Sequence, residues 1–228
     1  MTNPAPLKSP RWSSATSSSK GDSTRQTILL AAATAFGDKG YDAVSTREIA
    51  RLAGVNQPAI NYYFKGKEEL YRACAEAIVD EFYEHTQQAA DEAVRLLQST
   101  RDPNALRGAL RSVIRELSVL LILSEQHQSW SAFVAREVRN PGPAHQIIFT
   151  RLWEPGIELV AWLVAGIKGH RKVEPQSRIE AILLLSSLIG FGDGRSVTLR
   201  VMKWDRIGEA EFALIDEVVT RQIDAITG

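Results

Sequence analysis

The chain has 228 residues, with 27 Lys and Arg balanced by 27 Asp and Glu. That length holds one or two domains, and a single cysteine, Cys74, excludes an intramolecular disulfide framework. No apolar run approaches the roughly 18 residues of a membrane span, so a cytoplasmic protein without a membrane partner is expected.

The neutral total conceals a division. Residues 1–67 carry nine Lys and Arg against four Asp and Glu, and the remainder is acidic by the same margin. A basic head on an acidic body suits a polyanion partner for the head alone.

Residues 1–23 are basic, rich in Ser and Pro and poor in core-forming side chains, which predicts a disordered arm. They contain no apolar stretch of a secretion signal. From Thr24 the pattern becomes helical. Ile28, Ala32, Ala35 and Phe36 share one face, and Gly40 stands where a helix end favours positive φ.

Two short helices follow. Ser45 and Glu48 form a capping box that starts the first at Thr46. Ile49, Ala50 and Ala53 point inward, Gly54 allows the turn, and Val55 fills the angle between the helices. Asn56 caps the second, Pro58 sits in its first turn, and Ile60 and Phe64 return to the core.

A long helix is predicted over 67–97, with Leu70, Cys74, Ile78 and Phe82 on one stripe. Cys74 reads there as a small apolar residue. Asp102-Pro103-Asn104 breaks the pattern. Further helices are expected over 104–123, 128–139, 144–167, 176–201 and 208–226, separated by Pro141-Gly142-Pro143 and by 172–175. No strand alternation is present. The expected fold is all-α: a three-helix helix-turn-helix domain and a helical bundle, about nine helices in all. The domains read as an arm at 1–23, a DNA-binding head at 24–66, and a ligand-sensing and dimerisation body at 67–228.

Function is read from the outer face of the second short helix. Gln57, Pro58, Ala59, Asn61, Tyr62 and Tyr63 crowd it. A globular core has no use for that set, but a recognition helix in a major groove does. Gln reads adenine edges, Pro and Ala touch thymine methyls, and Asn and Tyr bond phosphates. Arg47 can reach guanine, and Lys67 can join its charge to a helix N-terminus on a phosphate. Whether the arm also touches phosphate is left open.

Over residues 24–70 the chain resembles the TetR-like transcription regulators. The resemblance lies in Ile28–Phe36, Gly40-Tyr41, Ser45–Ala50, Ala53-Gly54-Val55, Tyr62-Tyr63-Phe64 and Lys67-Glu68-Glu69-Leu70. It implies DNA contacts from Thr46, Arg47, Gln57, Pro58, Ala59, Asn61, Tyr62, Tyr63 and Lys67. Asn61 stands where the family usually has a phosphate-binding Tyr, and Tyr63 where it often has His. Trp130, Phe133, Arg136-Glu137, Pro141 and the stretch 190–200 resemble the body of one subgroup.

That likeness implies a repressor released from a palindromic operator by a small-molecule effector, and a homodimer built on the last two helices. Candidate pocket residues are the aromatics Trp130, Phe133, Phe149, Trp153 and Trp162. Beside them stand the polar Glu125, His127, Arg136, Glu137 and His145. Candidate interface residues are Ile179, Leu183 and Ile189 on one stripe and Phe212, Ile215, Val219 and Ile226 on the other; the alternative for these stripes is intrachain core, which a monomer would support. An enzyme would show a His-Glu-x-x-His, a Gly-x-Ser-x-Gly or a phosphate loop, and none is present, so no catalytic residue, metal or cofactor is expected. A helical adaptor that has lost DNA binding is the alternative function.

Overall fold

The computed structural model describes residues 20–123 and 127–227, without the side chains of 20, 21, 127–129 and 227. Glu125 and the side chain of His127 therefore lie outside the described residues. So do residues 1–19 of the expected arm, whereas 20–23 already belong to the first helix.

Every regular element among the described residues is helical. The order is α1 (Lys20–Lys39), α2 (Thr46–Leu52), α3 (Gln57–Phe64), α4 (Lys67–Ser99), α5 (Pro103–Ser118), α6 (His127–Arg139), α7 (His145–Ile148), α8 (Glu154–Ile167), α9 (Pro175–Asp193), α10 (Arg195–Met202) and α11 (Glu209–Thr227). α5 continues into a π-helical turn at Val119–Leu123, and a second π turn, Phe149–Trp153, joins α7 to α8. The segment expected as one helix over 176–201 is two. α9 and α10 meet at 76°, at Gly194.

Two compact units result. The first holds α1, α2, α3, the Lys67–Glu81 half of α4, α6 and α7. Its centre is Ile28, Phe36, Ile49, Ile60, Leu70, Tyr71, Ile78 and Phe133, none more than 2% exposed. The inward stripe of α1 and the Leu70, Cys74, Ile78 side of α4 close this core, as their spacing predicts.

The second unit holds Phe82–Ser99 of α4 together with α5, α8, α9, α10 and α11. α8 is buried over most of its surface (Leu159, Val160, Ala161, Leu163, Val164, Ala165, Ile167) and packs on α5 and α9. α11 lies along α5. Arg111 pairs with Asp224, Arg115 with Asp216, and Phe212, Ile215, Val219 and Ile223 fill the space beneath. Close backbone approach shapes the α9–α10 corner. A β-carbon at Gly192 would lie 2.8 Å from the Leu121 carbonyl oxygen, and Arg195 Nη1 donates to the Ile122 carbonyl at 2.5 Å.

No single helix among the described residues is long and apolar enough to cross a membrane, although the bent α9–α10 pair matches by length and composition. α9 is apolar on two faces. Ala181, Leu184 and Leu188 turn into the core, while Ile179, Ile182, Leu183 and Ile189 are exposed.

Candidate nucleic-acid interface

The site is assembled by local rules. The Ser45 hydroxyl accepts from the Glu48 N–H at 3.1 Å and starts α2. Glu48 in turn accepts from Lys39 Nζ at 2.6 Å. That hydrogen bond, with smaller help from charge and from the Ser45 backbone, holds its carboxyl below the usual range. Gly54 takes φ +67° at the turn, and Val55 N–H donates to the Ala50 carbonyl. The Asn56 side chain accepts from the Ala59 N–H at 3.0 Å, with Pro58 in the first turn of α3. Lys65 ends α3 in the left-handed region at φ +56°, and Gly66 at φ +135° leads into α4.

These caps leave Ile60 and Phe64 buried and turn the other face of α3 outward. Gln57, Pro58, Asn61 and Tyr62 are exposed, Tyr62 to 81%, while Ala59 and Tyr63 are half-buried. Tyr62 and Tyr63 meet edge to face at 5.0 Å, which steadies both rings. Gln57 Nε2 donates to the Thr46 hydroxyl at 3.4 Å, tying the start of α3 to the start of α2. Arg47 is exposed beside them. Lys67, at the N-terminus of α4, sits 4.4 Å from the centre of the Tyr41 ring and donates to the Asp42 carbonyl at 3.5 Å. All nine residues expected to contact DNA thus belong to α2, α3 and the first turn of α4.

Other expected sites are placed differently. Phe133 has no exposed surface and packs on Tyr71 at 4.6 Å. Arg136 donates to the Gly37 and Asp38 carbonyls at the end of α1. Glu137, 2% exposed, accepts from the Tyr71 hydroxyl at 2.6 Å and the Gly142 N–H at 3.1 Å. Trp130 is buried, Phe149 is exposed and stacks on His145, and Trp153 and Trp162 are half-buried. A concavity of about 420 Å³ in the second unit is lined by Arg115, Val119, Leu123, Glu209, Phe212, Ala213 and Asp216, none of them among the expected pocket residues.

On the expected interface, Ile179, Leu183 and Ile189 are exposed. Phe212, Ile215 and Val219 are not. They are 5–8% exposed within the chain's own core, Ile226 is half-buried, and the apolar residues α11 shows outward are Leu214 and Val218. A helix with two apolar faces gives its stronger stripe to the core, and that is the stripe the sequence displays. Among the described residues no group of His, Cys, Asp and Glu is arranged to hold a metal.

Comparison with known proteins bears on the same residues. Residues 28–74 match the family model for bacterial regulatory proteins of the tetR family. Residues 106–228 match the model for the C-terminal domain of the HTH-type transcriptional dual regulator CecR. The CecR protein of Shigella flexneri is 31% identical over 208 residues, which cover 91% of this chain and 92% of that one. The chain belongs to the TetR family. It is a DNA-binding transcription regulator with a CecR-like C-terminal domain.

Solved TetR-family structures share the fold. A TetR-like regulator from Rhodococcus sp. RHA1 superposes with a TM-score of 0.60 at 21% identity, over 89% of this chain and 96% of that one. AibR, crystallised with isovaleryl coenzyme A and operator DNA, superposes at 0.57 with 20% identity, over 90% and 96%.

Proposed function

We propose that this TetR-family regulator binds a pseudo-palindromic operator as a homodimer, and that a small-molecule effector held by the helices after residue 67 releases it, relieving repression. The observation that carries the DNA half is the outward face of α3, where the polar Gln57, Asn61 and Tyr62 are exposed beside Arg47. One recognition helix reads only a few base pairs, so two heads one helical turn apart, about 34–36 Å, supply the affinity. The exposed apolar residues of α9 and α11 are the surface such a pair of chains would cover.

Effector control needs an element that belongs to both halves. α4 is one continuous helix, contributing Lys67–Glu81 to the unit that carries α3 and Phe82–Ser99 to the other. An effector that prefers a different attitude of α4 would change the separation of the two recognition helices. Equal affinity for both states would shift nothing.

The test is fluorescence anisotropy of the full chain on duplexes from the region flanking its gene, over a salt series. Wild type should bind one palindromic fragment tightly, with affinity falling steeply as salt rises. Arg47→Ala should cost about 1–3 kcal/mol and relax preference at one base pair. Binding by the variant equal to wild type on every fragment would remove Arg47 from the contact set, and no binding by wild type to any genomic fragment would move the reading to the adaptor.

A further inference from the structure

We infer that Arg136, Glu137 and Gly142 form a clamp that positions the DNA-contact face, so that α6 and the loop after it are a working part of the head. This rests on the DNA-contact face proposed above and goes beyond it, because none of the three residues is near α3 in sequence.

The end of α1 presents carbonyls without helical partners. Arg136 reaches two of them, Gly37 and Asp38, and a guanidinium can donate to both at once while its charge opposes the negative end of the helix. It passes close to the corner itself. A β-carbon on Gly40, at φ +87°, would lie 3.3 Å from Arg136 Nη1. That corner leads directly into Tyr41, Asp42 and the Ser45 cap of α2.

Glu137 holds the other side. Its carboxylate is nearly sealed from water and takes two donors, the Tyr71 hydroxyl on α4 and the Gly142 N–H. Its own carbonyl lies 2.9 Å from His145 Nδ1. A β-carbon at 142 would lie 2.7 Å from Glu137 Oε1, so any larger residue there displaces the carboxylate from its two donors. The Arg-Glu pair and the Pro-Gly-Pro turn therefore make one device, in which the turn closes on the carboxylate.

From the clamp, contacts run unbroken to the proposed DNA face. The Tyr71 ring packs edge to face on Phe36 at 4.8 Å and on Tyr41 at 4.9 Å. Tyr41 carries Lys67 on its ring. Freeing Tyr71 from Glu137, or α1 from Arg136, loosens the seat of Lys67 and the corner that holds α2. These are positioning residues, with no contact to DNA of their own.

The experiment uses a duplex enriched from a random pool by the full wild-type chain. Affinity is measured by anisotropy at several salt concentrations, with circular dichroism on the same samples. Arg136→Gln and Tyr71→Phe should remain helical, bind about tenfold or more weakly, and show a shallower dependence of log K on log salt, because a seated phosphate contact is lost. Arg136→Lys keeps a charge that reaches one carbonyl and should recover most of the affinity. The salt dependence is the readout that a merely structural role would leave alone. Tyr71→Phe removes one hydroxyl from an otherwise unchanged ring, so it answers even if Arg136→Gln fails to fold. Folded variants with wild-type affinity and salt slope would overturn the clamp, and so would affinity lost only in proportion to helical signal. Lys67→Ala, run alongside, tests the DNA face separately. An unchanged slope there would remove Lys67 from the contact set, and shallower slopes in the other variants would then support a clamp that seats another phosphate contact of α2 or α3.

Discussion

Tyr71 is where burial and hydrogen bonding act on one atom. Desolvation first, and then the hydrogen bond to Glu137, push its phenol well above the ordinary 10.0. It stays protonated and donates. The unfolded chain ionises that phenol near its ordinary value while the folded chain does not, so the stability it contributes is complete below about pH 10 and falls as pH rises beyond it. Urea melts of wild type and Tyr71→Phe between neutral pH and pH about 11 should therefore differ, with the flatter alkaline loss in the variant; parallel curves would show that the phenol is not a stability determinant. Cys74 behaves alike for a simpler reason. It is 1% exposed, its thiol faces the Leu29 carbonyl at 3.8 Å, and burial drives its ionisation upward. A thiol reagent should leave the native protein unlabelled and modify it fully in denaturant, because thiolate and access appear only together.

Among the elements, α11 is the most instructive because it is apolar on two sides. Phe212 is buried, in van der Waals contact with the core, and carries the Arg115 guanidinium 5.9 Å from its ring centre; Leu214, two residues on, is 54% exposed. Phe212→Ala should destabilise by about 3–5 kcal/mol in thermal or urea melts, since it leaves a cavity. Leu214→Ala should change the same melt by about 0.5 kcal/mol or less at low protein concentration, where no partner covers it. A large loss from Leu214→Ala under those conditions would place it in the chain's own core. α9 and α10 show a different limit of the helical pattern. Apolar residues continue through 176–201, yet the Gly190, Gly192 and Gly194 run lets the backbone turn against the Leu121 carbonyl. Side-chain spacing carries no sign of that bend.

For the whole molecule, Ile179, Ile182, Leu183 and Ile189 on α9, with Leu214 and Val218 on α11, are large apolar side chains that the chain's own fold leaves 42–63% exposed, the kind of surface a partner covers. Leu183→Arg should leave helicity intact, since this side chain touches solvent within the chain. On the homodimer proposed above, it should convert a two-chain species to one in sedimentation equilibrium, with loss of high-affinity operator binding. Two-chain mass in the variant would remove this face from the interface. The Arg178–Glu158 ion pair lies on the surface of the second unit, with Arg178 47% exposed, and contributes little to stability.

The residues of one helix or one turn determined much of this protein without help from the rest of the chain. Ser45, Gly54, Asn56 and Pro58 specify the two short helices and the turn between them through caps and backbone freedom, which act within four residues. The outward set on α3 was legible for the same reason: once Ile60 and Phe64 are turned inward, helical geometry places the others. What tertiary structure alone decided depends on partners far apart in the chain. Arg136 and Glu137 carry the chemistry of a ligand pocket, and only the approach of α1 and α4 makes them caps and bridges. Tyr41 and Tyr71 look like ordinary core aromatics until the fold packs one edge to face on the other beneath Lys67. The two faces of α11 are equally helical and both apolar. The stronger one is buried, and whether its cover is the chain's own α5 or a second chain is decided by where α5 comes to lie, which a one-dimensional pattern does not contain.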